Sequence, residues 1–285
     1  MMNIRQTARN VLVVLIDGIS AGWEHWVLLT SDRHHDNIHC RRDREKRDLE
    51  LAKERNAQIA DFGDLFCAMQ GKYDPRSDMS DIRPEDVGTD YLDRIVNHAA
   101  DFYEPYAKNF LLLGHGNHET NVLKRHGTNL TSNLVHDLNR MGGSVYTGWY
   151  SGWIWFQFGI QKTVRQSFRL HYHHGTGGNA PVTRGVIQTN RQSVYLPDAD
   201  AVVSGHSHDS WYVPIRRVRL SQKGKVMKDL IHHIRTPGYK DAYNDGAEGF
   251  EVEKGLSPKP IGCAWLRFYY EDGRIESSVI VDVEG

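Results

Sequence analysis

Gly116-Asn117-His118-Glu119 stands directly after the run Asn109-Phe-Leu-Leu-Leu-Gly-His. It delivers an amide oxygen, an imidazole and a carboxylate together where a buried strand is expected to end. Open α/β sheets place ligands in that crevice, at the carboxyl ends of their strands. The layout recurs further on, where Ala201-Val-Val-Ser precedes Gly205-His206-Ser207-His208-Asp209. Asp17 follows the run Val11 to Ile16, Gly63-Asp64 follows Ile59 to Phe62, and His173-His174-Gly175 follows Phe168 to Tyr172. Five strand-end clusters of oxygen and nitrogen donors point to a metal centre. A set of Asp, Asn and His without cysteine suits Mn²⁺, Fe²⁺ or Zn²⁺. A carboxylate can bridge two such ions about 4 Å apart, and the pair can polarise a phosphoryl group and generate its nucleophile. Glycine beside each donor lets the backbone turn sharply and approach an ion.

The elements that would position these donors follow from the patterning. Val11 to Ile16 is a continuous β-branched and aliphatic run, as in a strand buried on both faces. Asn37 to Gln58 mixes acids and bases and reads as a solvated helix rather than a nucleic-acid arm. Residues 74–84 read as a loop, and Thr89 to Lys108 has helical spacing behind a Thr89-Asp90 cap. Asn129 to Met141 is a further helix, stopped by Gly142-Gly143. From Ser144 onward the chain is mostly short β-rich runs: 144–158, 168–172, 201–204, 213–220, 231–235, 264–270 and 277–283. Alternating strand and helix followed by mostly strand fits two packed sheets flanked by helices. No repeat or linker is evident, so one domain over 1–285 is expected, with the motifs in 11–212, an insertion or loop in 221–260 and C-terminal strands in 261–285.

Composition narrows the class. Hydrophobic residues make up 39% and charged residues 25% of the chain, as in a globular protein that is not membrane-bound. With 35 basic and 36 acidic residues the net charge is −1, so no bulk basic field draws it to nucleic acid. The three cysteines, Cys40, Cys67 and Cys263, are far apart and read as reduced thiols in a cytoplasmic setting. Val11 to Ile16 is too short to span a membrane or to form a signal core, and no membrane partner is expected. The sequence does not fix an oligomeric state.

In order and in type, these blocks resemble the calcineurin-like metallophosphoesterases, whose pattern runs Asp-x-His, Gly-Asp, Gly-Asn-His-Asp/Glu, His and Gly-His-x-His. The likeness spans roughly residues 11–212. Gly63-Asp-Leu-Phe, the stretch from Met69 to Arg76 and His174-Gly-Thr-Gly-Gly look most like phage- and prophage-type members. The resemblance implies an α/β fold, a four-layer α/β/β/α sandwich of two mixed sheets with a dinuclear site at one edge. It implies that Asp64 bridges two divalent ions, Mn²⁺ first, with Fe²⁺, Zn²⁺ and Ni²⁺ as alternatives. Asn117, His174 and His206 would complete one site, and His208 would belong to the other. His118 would act at the leaving-group oxygen, with Glu119 orienting it.

The first block departs from the pattern. An ungapped reading puts Asp17 in the Asp position and Ile19 where histidine is expected; anchoring on Ala21-Gly22 puts Gly18 and Ser20 there instead. Asp17 is preferred, because the strand fixes which residue emerges first at its end. Either way the histidine is missing, and one metal site would be weak or empty. Cys67, where many relatives carry an acid, reads as a packing residue. His115 and His173 read as structural, and Trp149, Trp153 and Trp155 as sheet packing. Arg76, Arg125, Arg184 and Arg191, near the motif loops, are candidates to clamp a phosphate. The activity implied is hydrolysis of a phosphate ester by attack of hydroxide held at the metals. Phosphodiesters (nucleic acid or nucleotide) come first as substrate. A phosphomonoesterase or protein phosphatase, and an impaired, purely binding member of the fold, are the alternatives.

Overall fold

The computed structural model describes residues 2–69, 79–160, 164–177, 180, 182–243 and 250–284. In chain order its elements are β1 (Met2–Ala8), β2 (Val11–Asp17), β3 (Glu24–Thr30), α1 (Arg42–Glu54), β4 (Gln58–Asp61), α2 (Tyr91–Tyr103) and β5 (Phe110–Leu113). There follow α3 (Asn117–His126), α4 (Leu130–Arg140), β6 (Tyr146–Thr147), β7 (Ser151–Gly159), β8 (Arg165–His173) and α5 (Ile187–Tyr195). The chain closes with β9 (Ala201–Ser204), β10 (Trp211–Leu220), β11 (Val226–Arg235), α6 (Phe250–Glu253), β12 (Gly262–Glu271) and β13 (Arg274–Val283).

The strands form two mixed sheets. One has the order β1-β2-β7-β8-β9-β11-β10, the other β13-β12-β3-β4-β5-β6. Period-two alternation lets each central strand serve two cores at once. In β3, Val27 and Leu29 face the interior between the sheets, while Leu28 faces α1, α2 and α4 with Ile59 of β4. Phe156, Phe158 and Phe268 fill the space between the sheets. On the far side of the seven-stranded sheet, a smaller cluster of Leu196, Ala199, Val202 and Ile231 lies beside α5. The result is a four-layer α/β/β/α sandwich. Among the described residues no helix is long and apolar enough to cross a membrane.

Two expectations need correction. Helix α1 is not a solvated element, because Arg44, Glu45 and Asp48 on its inner face are as buried as Leu49 and Ala52. Charge is tolerated there because it is paired: Arg44 with Asp48 at 3.0 Å, Glu45 with Arg33 at 2.7 Å. The second concerns Val11 to Ile16. This run forms β2 of the seven-stranded sheet, parallel to β7 but antiparallel to β1. The strand beside β4 and β5 is β3, which the apolar pattern did not single out.

Candidate metal centre

Parallel strands β3, β4 and β5 release their chains at one edge of the sandwich, and β8 and β9 of the other sheet end at the same edge. Each exit carries donors: Ser31 to His34 after β3, Gly63-Asp64 after β4, Asn117-His118 after β5, His174 after β8, and His206 and His208 after β9. Two groups of donor atoms result, each within 4.8 Å of one another: Asp32, His34 and His208, and Asp64, His174 and His206. Asn117 ties into the second group, its Oδ1 accepting from His174 Nε2 at 3.2 Å and His206 Nδ1 at 2.7 Å.

The segment Thr30 to Asn37 is the least expected part of the site: eight successive polar residues, all buried. It is buried because successive side chains go to different partners. Asp32 and His34 face the donor groups, with His34 Nε2 3.2 Å from His208 Nε2. Arg33 turns the other way and donates to Asp61 and Glu45, each at 2.7 Å, and to Thr30 Oγ1 at 2.9 Å. His35 follows it to Glu45 at 2.9 Å. Asp36 accepts from the Cys67 and Ala68 N–H groups and from the Tyr91 hydroxyl. Burial would raise the Glu45 carboxyl, but His35 and Arg33 outweigh it and hold it down to about 2.

Backbone conformation is unusual here as well. Asp32, His34, Asp64, His206 and His208 all have positive φ, five of the nine such non-glycine residues among those described. Asp and His tolerate this region better than most side chains, yet it still carries strain of the kind found at functional sites. Two glycines make room: a Cβ on Gly116 would fall 2.0 Å from Asp64 Oδ1, and one on Gly205 would fall 2.1 Å from Ser31 Oγ.

Two of the rings, His174 and His118, are oriented through Nδ1. His174 Nδ1 donates to the Phe62 carbonyl at 3.0 Å, which leaves Nε2 toward Asp64 Oδ2 at 3.1 Å. His118 Nδ1 meets the Cys67 carbonyl at 2.5 Å, leaving its Nε2 3.9 Å from Asp64 Oδ2. Burial, and then the neighbouring imidazoles, lowers His34 well below its ordinary value; burial likewise lowers His206 and His208. His174 is the exception: burial opposes its charge, but the Asp64 carboxylate outweighs that and raises it to about 10.

These residues fit a divalent ion. Asp32 Oδ1 and His34 Nδ1 are buried polar atoms with no hydrogen-bond partner, and Asp32 Oδ1 lies 3.7 Å from His208 Nε2. The imidazoles of His34 and His208 face one another and the Asp32 carboxylate, a set of electron-pair donors that a divalent cation would complete.

The structure thus brings together Asp64, Asn117, His118, His174, His206 and His208. It does not bring Asp17. In register, Asp17 pairs with Gly159, Gly159 pairs with Arg165, and His173 lies eight residues further along β8. At about 3.3 Å per residue that is roughly 26 Å from the site. Asp17 is half-exposed there, 3.8 Å from Arg165. Asp32 and His34, at the exit of β3, stand among the donors where Asp17 and Ile19 do not. The signal was available as Ser31-Asp32-Arg33-His34 directly after Val27-Leu-Leu-Thr.

Glu119 is corrected too. It orients loops rather than His118, accepting from the N–H groups of Gly116 (2.8 Å), Phe66 (2.9 Å) and Asp64 (3.1 Å). Burial and then the Asp64 carboxylate push it up to about 8, against the pull of those donors. The Cys67 carbonyl takes the orienting part, while the Cys67 thiol, pushed up by burial, accepts from Asn37 at 3.3 Å. His115 is held at both nitrogens, by the Gly148 carbonyl and Asn129.

Of the arginines, Arg125 is exposed on α3 about two turns beyond Asn117, and Arg191 is exposed on α5. Arg184 is exposed, with its carbonyl accepting from Trp211 Nε1. None of the three belongs to the donor groups, and Arg76 lies outside the described residues. The cation that sequence patterning missed is Arg235, buried at the end of β11 and donating to the Gly205 carbonyl. Beside His206 and His208 a cavity of about 200 Å³ is lined by Lys240, Tyr243, Glu251 and Lys259, among others. Part of the 221–260 segment therefore borders the site.

No protein-family model matches the chain, and no curated protein matches it. Among solved structures it is similar to Vacuolar Protein Sorting 29 from Cryptosporidium parvum, at 13% identity and a TM-score of 0.37, over 92% of this chain and 99% of that one. Vps29 from Entamoeba histolytica, in complex with Zn²⁺, is similar at 10% identity and a TM-score of 0.37, over 90% and 98%. A predicted phosphoesterase from Streptococcus pneumoniae is similar at 12% and a TM-score of 0.34, over 92% and 91%. At such identities and scores the likenesses carry no functional weight.

Proposed function

We propose that this chain is a metal-dependent phosphoric ester hydrolase of the calcineurin-like type, acting on phosphodiesters. The observation that carries the reading is the pair of donor groups, Asp32–His34–His208 and Asp64–His174–His206, converging from both sheets with Asn117 and His118 beside them. In this reading Asp64, Asn117, His174 and His206 would hold one divalent cation, and Asp32, His34 and His208 would hold a second, with Asp64 shared. Mn²⁺ is the first choice, and Fe²⁺, Zn²⁺ and Ni²⁺ suit the same donors. Such a pair, when bound, supplies a polarised phosphoryl group and an activated water.

The chain's own residues do the rest. His118, its Nδ1 held by the Cys67 carbonyl, presents Nε2 for proton donation to the departing oxygen. A donor so placed contributes about 10²–10⁴-fold. Asp32 Oδ2 accepts the His206 N–H at 2.8 Å, which couples the two sites through the backbone. Asp32 and His34 offer a carboxylate and an imidazole beside His208, which supports the catalytic reading over a purely binding one.

The test is hydrolysis of bis(p-nitrophenyl) phosphate by metal-stripped protein titrated with Mn²⁺. Turnover should appear with Mn²⁺, and His118→Ala should lose it while retaining bound metal. Folded protein without Mn²⁺-dependent turnover would refute the diesterase reading.

A further inference from the structure

Strands β10 and β11 run together for ten residues each, in register from Trp211↔Arg235 to Leu220↔Val226. Only His232 to Arg235 of β11 also pairs with β9. Among the described residues, Val226 to Ile231 have no partner strand but β10, so the pair leaves the sheet as a two-stranded ribbon. Its base is at the metal centre, where Arg235 donates to the Gly205 carbonyl and packs 5.3 Å from the Trp211 ring.

The ribbon's two faces differ. On one, Arg217 pairs with Asp229 at 2.9 Å and donates to the Pro197 and Ala199 carbonyls, and Arg219 meets Asp229 at 3.1 Å. That face is fastened to the body. The register puts Arg216, Val218, Leu220, Val226, Lys228 and Leu230 on the other. All six are exposed; Val218 and Leu220 are 73% and Val226 69% exposed. The turn adds Lys223 and Lys225, also exposed.

This face and its turn hold Arg216, Lys223, Lys225 and Lys228 and no acid, in a chain with 35 basic and 36 acidic residues. Two copies packing these faces together would set Arg216 and Lys228 against their own images, so a second copy is disfavoured. The cations instead form a line leading from the metal centre. At about 3.3 Å per residue, Arg216 lies roughly 17 Å and Lys228 roughly 23 Å along the ribbon from its base. A linear polyanion fits such a line; a strand of nucleic acid carries a phosphate about every 3.4 Å of helix axis. Exposed aliphatic side chains between the cations offer contact to sugars and bases.

We propose that the β10–β11 ribbon is a binding arm for a nucleic-acid strand whose scissile phosphodiester lies at the metal centre. This rests on the phosphodiesterase reading and narrows its substrate to a polynucleotide.

The test compares the full chain with the variant Arg216→Gln/Lys223→Gln/Lys225→Gln/Lys228→Gln. Anisotropy of a labelled single-stranded 30-mer is followed in EDTA across a salt series, and bis(p-nitrophenyl) phosphate turnover is followed with Mn²⁺. The variant should bind the 30-mer more than about tenfold more weakly at low salt, with a slope of log affinity against log salt smaller by about three. Its turnover of the small diester should be unchanged. Equal affinity and slope in the two proteins would overturn the proposal. So would loss of binding to phosphatidylserine vesicles with 30-mer binding intact, which would assign the ribbon to a bilayer. Because binding is read without metal, ribbon-dependent 30-mer binding by a protein inert toward the small diester would support the arm and refute the diesterase reading alone.

Discussion

Replacing Arg33 with methionine should destabilise the fold far more than its position in a loop suggests. Its guanidinium is fully buried between two fully buried carboxylates, Glu45 and Asp61, at 2.7 Å each, with the rings of Tyr103, Phe110 and Tyr239 around it. Methionine fills much of the same volume but leaves both carboxylates without their cation. Removing one partner of a buried ion pair costs about 3–5 kcal/mol, because the remaining charge is uncompensated. Domains are commonly stable by only about 5–15 kcal/mol, so about a fifth or more of the total is at stake. The assay is urea denaturation at pH 7 in EDTA, which removes any contribution from bound metal. The triple variant Arg33→Met/Glu45→Gln/Asp61→Asn, which has no charge left to strand, should recover about 2 kcal/mol or more of the loss. A single variant within about 1 kcal/mol of the parent would refute the reasoning, and so would a triple variant no better than the single.

Three more outcomes are expected. Asp32→Ala and His34→Ala should each weaken Mn²⁺ binding by at least about tenfold in calorimetry, whereas Asp17→Ala should leave it unchanged; the reverse would restore the first block to β2. Gly116→Ala, whose Cβ would meet Asp64 Oδ1 at 2.0 Å, should cut turnover by about 100-fold with the circular dichroism spectrum intact, and full activity would show that Asp64 need not hold its place. Glu45, held down to about 2 from an ordinary 4.5, should contribute stability in full above about pH 4.5 and lose it as pH falls toward 2. A shift of that size is worth on the order of 3 kcal/mol, and urea midpoints from pH 5 to 2.5 should fall more steeply in the parent than in Glu45→Gln.

Four of the five donor blocks were legible because each follows an apolar run too short for anything but a strand and carries its own glycine. Gly63-Asp64, Gly116-Asn117-His118, His174-Gly175 and Gly205-His206-Ser207-His208 all reach the site. The first block was hidden by a competition between two strands. Val11 to Ile16 is uniformly aliphatic, whereas β3 begins Glu24-His25-Trp26 and shows only Val27 to Leu29 as a core. Apolar length favoured β2, whose Leu12, Val14 and Ile16 pack between the sheets while its end, at Asp17, lies away from the donors. Polarity misled in the same way along α1, whose inner face is buried because its charges are paired, some with residues distant in sequence, such as Arg44 with Asp282. Pairing partners of that kind are set by the fold and leave no local pattern.

The left-handed backbone at Asp32, His34, Asp64, His206 and His208 sets two demands against each other. At each of these positions glycine would relieve conformational strain on the order of 1 kcal/mol while deleting a donor. At Asp32 and Asp64 that relief has a counterweight, because their carboxylates accept the N–H groups of His206 and His118. The strand exits thus brace one another, and the same side chains that strain their own backbone hold the neighbouring turn in place.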